Sequence, residues 1–455
     1  MNAFQSERRA HPIWAFALTP GCGTNKLGML GGQEDRAIGY RYIICFLIFL
    51  GYVLVFFHRL CPAVIALDIQ ESFGISGTLL GVLGSAYFYS YAFMQVPTGL
   101  MADSWGPRKT VSAFFVLAGT GAILMGIAPN PAFAILGRVL VGIGVSTVFV
   151  CNFKLLAEWF TPRQFVIMGG IFMAMGGMGA LSSSAPLAWI SGFIGWRVTL
   201  VAVGIVTLVL AVLIYAFVRN RPEDMGLAPI NVDIPGALER KLGLWEGMKL
   251  VVRSGRFWPI SIWSFFATGI SFALGGLWGG PYLIHVYGMN KTQAGAVLSM
   301  FAMALIFGSP LLSWSANRVG RKPVLTGCSL LLIGACGVLF AFTGRLSLPA
   351  MYGLFFSLSL SGAAAGPIVA AVSKELFPLA ISGTSVGIVN LFPFMGAAFF
   401  QILIGAVLSG VGKEDIVLTL CAYQKMFLIC LMGALISMVA AFLLRETLRH
   451  QKGIF

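Results

Sequence analysis

The sequence predicts an all-α membrane protein built as two six-helix bundles related by a pseudo-twofold axis along the membrane normal. Three observations carry this. Hydrophobic residues make up 58% of the chain and charged residues only 10%, far below the roughly 25% charged residues of soluble domains. Apolar runs long enough to cross a hydrocarbon core of about 30 Å recur along the chain, and they are continuous rather than alternating, which reads as helices and not as barrel strands. A short polar loop with Gly99, Asp103, Gly106, Arg108 and Lys109 returns in degraded form with Ser313, Asn317, Arg318, Gly320, Arg321 and Lys322.

Twelve spans follow in order, at about 41–67, 77–101, 110–128, 131–157, 164–190, 197–218, 257–286, 293–314, 323–343, 348–373, 381–410 and 418–444. The one long polar break, 219–256, divides six from six and contains Pro222, Pro229 and Pro235. Within it, 244–253 has the pattern of a short amphipathic surface helix, with Leu244, Trp245, Met248, Val251 and Val252 toward lipid and Lys249 and Arg253 toward headgroups. The domains are therefore an N-terminal tail 1–40, a first bundle 41–218, a central loop 219–256, a second bundle 257–445 and a C-terminal tail 446–455. Two anchors repeat at nearly one offset: Gly106 to Gly320 is 214 residues, and Glu158 to Glu375 is 217. Internal repeats of this kind are a common plan of secondary transporters. Paired glycines such as Gly176 and Gly177 or Gly279 and Gly280 let helices approach closely. Pro186, Pro281, Pro310, Pro367 and Pro393 mark expected bends.

The net charge of +14 is a matter of placement. With the N-terminus in the cytoplasm, 22 of the 30 Lys and Arg fall on the cytoplasmic side. That is the positive-inside pattern; it places both termini inside and speaks for contact with lipid headgroups rather than nucleic acid. The eight cysteines show no metal or redox spacing and read as small buried apolar residues. The chain has no recognisable nucleophile elbow, phosphate-binding loop, zinc-binding helix or carboxylate pair, so an enzyme reading has no footing, and no cofactor or metal is expected. Residues 1–40, with Arg8, Arg9 and Cys22, lack a long apolar core and read as a cytoplasmic tail rather than a signal peptide.

Ionisable groups inside a membrane cost about 2.5–3.5 kcal/mol each on insertion scales, so each is a candidate functional group. His58 and Arg59 lie in the first span, Arg138 and Lys154 in the fourth, and no Asp or Glu lies deep in any span. A cationic interior favours an anionic substrate. Arg59 shares a helix face with Tyr52, Phe56 and Ala63, and a guanidinium grips a carboxylate or phosphate through two parallel hydrogen bonds. Structural pairing to a neighbouring helix is the bland alternative. His58 has the right unperturbed pKa for a proton carrier, against the alternative of a packed, hydrogen-bonded histidine. Tyr87, Tyr91 and Gln95 form a stripe on the second span; Arg138, Phe149 and Asn152 share one face of the fourth. Lys154 stands one turn before Glu158 and suggests a structural pair. In the second half Trp278, Asn390 and Gln401 stand out. Adding 214 to Arg59 lands on Ala273, so the second half lacks a matching cation, which favours a singly charged acid.

The loop with Asp103, Gly106, Arg108 and Lys109 resembles the signature loop of the major facilitator superfamily, and the chain from about 41 to 445 is similar to a twelve-helix member. The run Arg138, Gly142, Gly144 resembles the family's fourth-helix motif, whose Arg is linked to coupling in several proton-driven members. The resemblance implies that Asp103 pairs with neighbouring helix ends and that Arg108 and Lys109 are the matching bases. Asn317 replaces the acid in the second copy, so a weaker lock is expected there. The first-span run from Phe57 to Ala63 resembles the Arg motif of organic-anion and phosphate-ester carriers, with His58 where an Asp usually stands. Ala185 and Pro186 depart from the Gly-Pro expected of drug antiporters. The reading that follows is a proton-coupled symporter of a small organic anion, a monocarboxylate such as a sugar acid or similar metabolite. It is expected to be a monomer in a bacterial inner membrane, with Arg59, Tyr52, Tyr87, Tyr91, Asn152 and Asn390 at the substrate and His58, Asp103, Gly106, Arg108, Lys109 and Arg138 in coupling and gating. The alternative is an efflux pump for drugs or neutral metabolites; a sensor that binds without translocating is the reading from another class.

Overall fold

The computed structural model describes residues 24–227, 230, 244–377, 379–409 and 416–448. Most of the expected N-terminal tail, the middle of the central loop, Lys413 and the end of the C-terminal tail lie outside these. By its internal contacts the chain divides at residue 42 into units 1–42 and 43–455, and the second carries the cavity and the contacts between the halves. Among the described residues ten helices are long and apolar enough to cross a membrane.

The first span runs Thr24–Leu60 and continues as Pro62–Phe73. Cys61 keeps helical dihedrals at the joint, so the span bends at Pro62, whose nitrogen has no hydrogen to donate. It stops at Gly74, left-handed at φ 61°. The second span, Gly77–Ser104, starts on the Ser76 hydroxyl, which accepts the Leu79 N–H. The third is Pro107–Gly126, and the fourth is Pro131–Val145 followed by Val148–Trp159. The fifth, Pro162–Ser182, resumes at 185 and ends at Gly195, whose φ of 78° separates it from the sixth at 196–217.

In the second half the seventh span is Phe257–Tyr287, the eighth Lys291–Val319, the ninth Arg321–Ala341 and the tenth Leu348–Glu375. The eleventh is Leu379–Val389 with Leu391–Leu408, and the twelfth is Ile416–Leu443. Four wide π turns interrupt them, at Ser264–Thr268, Leu274–Trp278, Ala304–Gly308 and Ala365–Val369. The five prolines expected at bends all sit at irregularities. Pro186 follows the break at 183–184, Pro281 and Pro310 follow π turns, Pro367 lies inside one, and Pro393 follows the break at Asn390. The cause is the ring's clash with the carbonyl four residues back, which a wider turn relieves.

The central helix Leu244–Arg253 forms where its amphipathic pattern predicts. Its apolar side does not turn wholly to lipid: Val251 is fully buried, and Gly247 lies against Ile381 and Thr384 of the eleventh span.

The two halves meet tightly at the membrane face opposite the central loop. A Cβ on Gly280 of the seventh span would stand 1.8 Å from the Ala63 carbonyl oxygen of the first, and one on Gly81 would stand 2.4 Å from that of Gln401. Only glycine permits backbones this close. Asp68 and Lys291 add an ion pair between the halves at the same face.

Candidate functional site

Between the halves lies a cavity of about 890 Å³, its open mouth included. Tyr52, Phe56 and Arg59 enter it from the first span, Tyr91 from the second, Phe272 from the seventh, and Asn390 and Phe394 from the eleventh. Among the described residues Arg59 is the one charged side chain in its lining, and it is 4% exposed. Its guanidinium lies 4.5 Å from the Phe56 ring, 5.0 Å from those of Tyr91 and Phe394, and 5.5 Å from that of Phe272. Each half supplies two of these rings. They hold the cation by its faces and leave its Nε without a hydrogen-bond partner. A donor set this buried and this free of carboxylates is built to receive an anion.

The other residues singled out in the sequence divide by location. Tyr52 stacks on Phe172 at 4.0 Å, and Asn390 donates to Gln95 Oε1 at 2.8 Å, a bond from one half to the other. Tyr87, Asn152, His58 and Arg138 lie behind the lining. Arg138 donates to the His58 carbonyl at 2.8 Å and covers the Tyr87 ring at 4.8 Å. His58 Nε2 meets the Thr207 hydroxyl at 3.2 Å, and Asn152 donates to the Ile48 carbonyl at 2.9 Å. The face shared by Arg138 and Asn152 thus bonds to the backbone of the first span. Phe272 and Phe394 carry no polar signal in the sequence. The repeat offset, which lands on Ala273, comes within one residue of the first of them.

Both polar loops are tied down, but by different partners than helix spacing suggests. Lys154 pairs with Asp103 at 2.6 Å instead of with Glu158, and Glu158 meets Arg221 at 3.5 Å. Arg108 donates to the Tyr215 carbonyl at 2.7 Å, and its backbone N–H donates to Asn220 at 2.9 Å; Lys109 is exposed. Gly106, at φ 78°, makes room for the Asn220 side chain. The second loop, where Asn317 stands in place of the acid, is tied down as well. Arg321 donates to Asn317 at 2.6 Å and pairs with Glu375 at 3.2 Å, both partners of the pair being about nine-tenths buried. The Asp103–Lys154 pair is far more exposed. Glu446 accepts the Arg321 and Lys322 N–H groups at 2.9 and 3.0 Å, capping the ninth span. Partial burial would raise its carboxyl pKa, but the N–H donors of Arg321, Leu448, Lys322 and Thr447 outweigh that and hold it below its ordinary value.

Ten helices apolar enough to cross a membrane among the described residues, packed around a cavity that holds Arg59, define a polytopic membrane protein. The Major Facilitator Superfamily profile matches residues 48–290 and 272–454, and the chain belongs to that family; it is a transporter and not an enzyme. It is 21% identical to a probable hexose phosphate transport protein of Chlamydia trachomatis, over 92% of this chain and 96% of that one. It is 23% identical to a D-galactonate transporter of Escherichia coli, over 82% and 90%. Its fold matches that of a bacterial homologue of the human lysosomal transporter Spinster, crystallised inward-facing and unoccupied, with a TM-score of 0.72 at 19% identity over 89% of this chain and 96% of that one.

Proposed function

We propose that this chain is a secondary active transporter of a small organic anion, a monocarboxylate or similar metabolite, working by alternating access. The observation that carries the proposal is Arg59, the one charged residue of the cavity lining. The relatives' names, hexose phosphate and D-galactonate, are those of anions and support it. Bundles at 41–218 and 257–445 rock about the cavity, with the tight glycine contacts and the Asp68–Lys291 pair closing one side of the cycle. The central-loop face is cytoplasmic by its basic residues, both termini lie inside, and the protein works as a monomer in a bacterial inner membrane. Coupling is by proton symport, with His58 as carrier beside the Arg138-bound turn. Asp103, Gly106, Arg108, Lys109 and Arg138 set the equilibrium between states; Tyr52, Tyr91 and Asn390 contact substrate directly, and Tyr87 and Asn152 hold the wall behind.

Uptake by proteoliposomes tests the site. Arg59→Ala should abolish saturable anion uptake while Arg59→Lys keeps a weakened remnant, since an ammonium retains charge without the bidentate fork. Unchanged uptake and affinity in Arg59→Ala refute the assignment. Proton entry recorded with a trapped pH dye tests the coupling: His58→Gln should separate anion flux from proton flux. A second reading, export of amphipathic compounds, draws on the apolar remainder of the lining; the direction of net flux in oriented vesicles decides between them.

A further inference from the structure

Resting on that reading, we infer that the substrate is a monocarboxylate with an apolar or aromatic body, and that polyhydroxylated acids are rejected. The inference comes from counting what the cavity can offer after its internal bonds are made. Arg59 supplies the anion grip. Asn390 has already given an amide hydrogen to Gln95, at 2.8 Å. The Ser373 hydroxyl donates to the Val369 carbonyl at 2.6 Å. What remains among the lining side chains is the hydroxyls of Tyr52, Tyr91 and Ser309, and the amide oxygen and second amide hydrogen of Asn390. These few groups are spread over two spans of each half, and the rest of the wall is ring faces, aliphatic side chains and a methionine.

A sugar acid carries a hydroxyl on nearly every carbon, and each hydroxyl needs partners once dehydrated. Every one left unpaired costs on the order of tenfold in affinity. An aryl or branched aliphatic acid meets no such penalty. Its carboxylate lies on Arg59 and its body lies against the rings that already surround the guanidinium. Those rings also come in a nearly parallel set: Phe272 and Phe394 have centroids 6.1 Å apart and planes 21° apart, with Phe88 behind them in similar orientation. The two lining rings of this set, Phe272 and Phe394, are apolar surfaces that favour a planar apolar body and offer a polyol no hydrogen bonds. The lone cation, with no second charge in the lining, limits the substrate to one negative charge.

The test uses the purified full chain and four probes: phenylacetate, 4-methylpentanoate, gluconate and phenylacetamide. Thermal stabilisation and inhibition of uptake are read for each. The expected result is half-maximal effect of both apolar acids at concentrations at least about tenfold below that of gluconate, with no effect of the uncharged amide. Phe394→Ala should weaken phenylacetate more than gluconate, and Phe272→Leu, a milder change, should do so in the same direction; the melting temperature without ligand reports whether each variant is folded. Gluconate acting as well as the apolar acids overturns the inference and leaves the organic-anion reading standing. Phenylacetamide acting as well as phenylacetate refutes the organic-anion reading itself. An absence of response to both apolar acids overturns the inference as well.

Discussion

Gly280→Ala is the most direct probe of how the two halves close. The added methyl would stand 1.8 Å from the Ala63 carbonyl oxygen where ordinary contact begins at 3.4 Å, so the first and seventh spans must separate by about 1.6 Å. The neighbour is backbone and cannot rotate away. Overpacking of this kind costs about 1–3 kcal/mol. The strain exists only while these ends are together, so it is relieved by populating the arrangement in which they part. The ratio of the two arrangements should therefore shift by roughly 5- to 150-fold. Spin labels at the exposed positions Glu71 and Thr292, with exposed Cys421 replaced by Ser, report the separation by pulsed dipolar spectroscopy. The expected outcome is a new population at longer distance. Gly334→Ala, where a methyl meets nothing within 4 Å, is the control. If both variants give the wild-type distance distribution, the close contact does not set the equilibrium and the reasoning fails.

The Asp68–Lys291 pair is partly exposed, so Lys291→Ala should move the same equilibrium by no more than about fivefold, or 1 kcal/mol; the exchange Asp68→Lys with Lys291→Asp should restore it, read with the same labels. Glu446→Gln removes the carboxylate that caps the ninth span and should cost about 1 kcal/mol locally, seen as faster amide exchange around Arg321 and Lys322. Because the Glu446 carboxyl titrates below its ordinary value, its contribution is complete above the ordinary carboxylate range and lost as pH falls through the folded value. Acidification should loosen the wild-type tail and leave the Gln variant unchanged. Gly106→Ala combines a positive φ with a clash on Asn220 and should lower the melting temperature, whereas Gly99→Ala, in open space, should not.

The spans were legible because a membrane admits few alternatives: a long apolar run must become a helix, and the expected bounds fall within a few residues of the observed ones at most ends. Bends were legible at prolines for the same reason, since the ring's clash is local. Arg59 was legible as a residue of the central cavity because a deep cation needs a cause. The partners of Lys154 and Arg321 were not, since helix spacing compares neighbours on one helix and these pairs join residues 51 and 54 positions apart. Phe272 and Phe394 were hidden because an apolar ring in an apolar span carries no contrast; only the fold brings them to the guanidinium.

The π turns of the seventh span have a further consequence. Each holds one residue more than the helix around it needs, and one residue of an α-helix is about 100° of rotation. The segment Gly269–Ala273 lies between two such turns. If one turn tightens and the other takes up its extra residue, the segment that carries Phe272 rotates as a unit while both ends of the helix stay where they are. The wall of rings around Arg59 can thus be rearranged by a change of register confined to a few residues, without displacing either end of the span. The first half holds the charge, and the second half holds the slack.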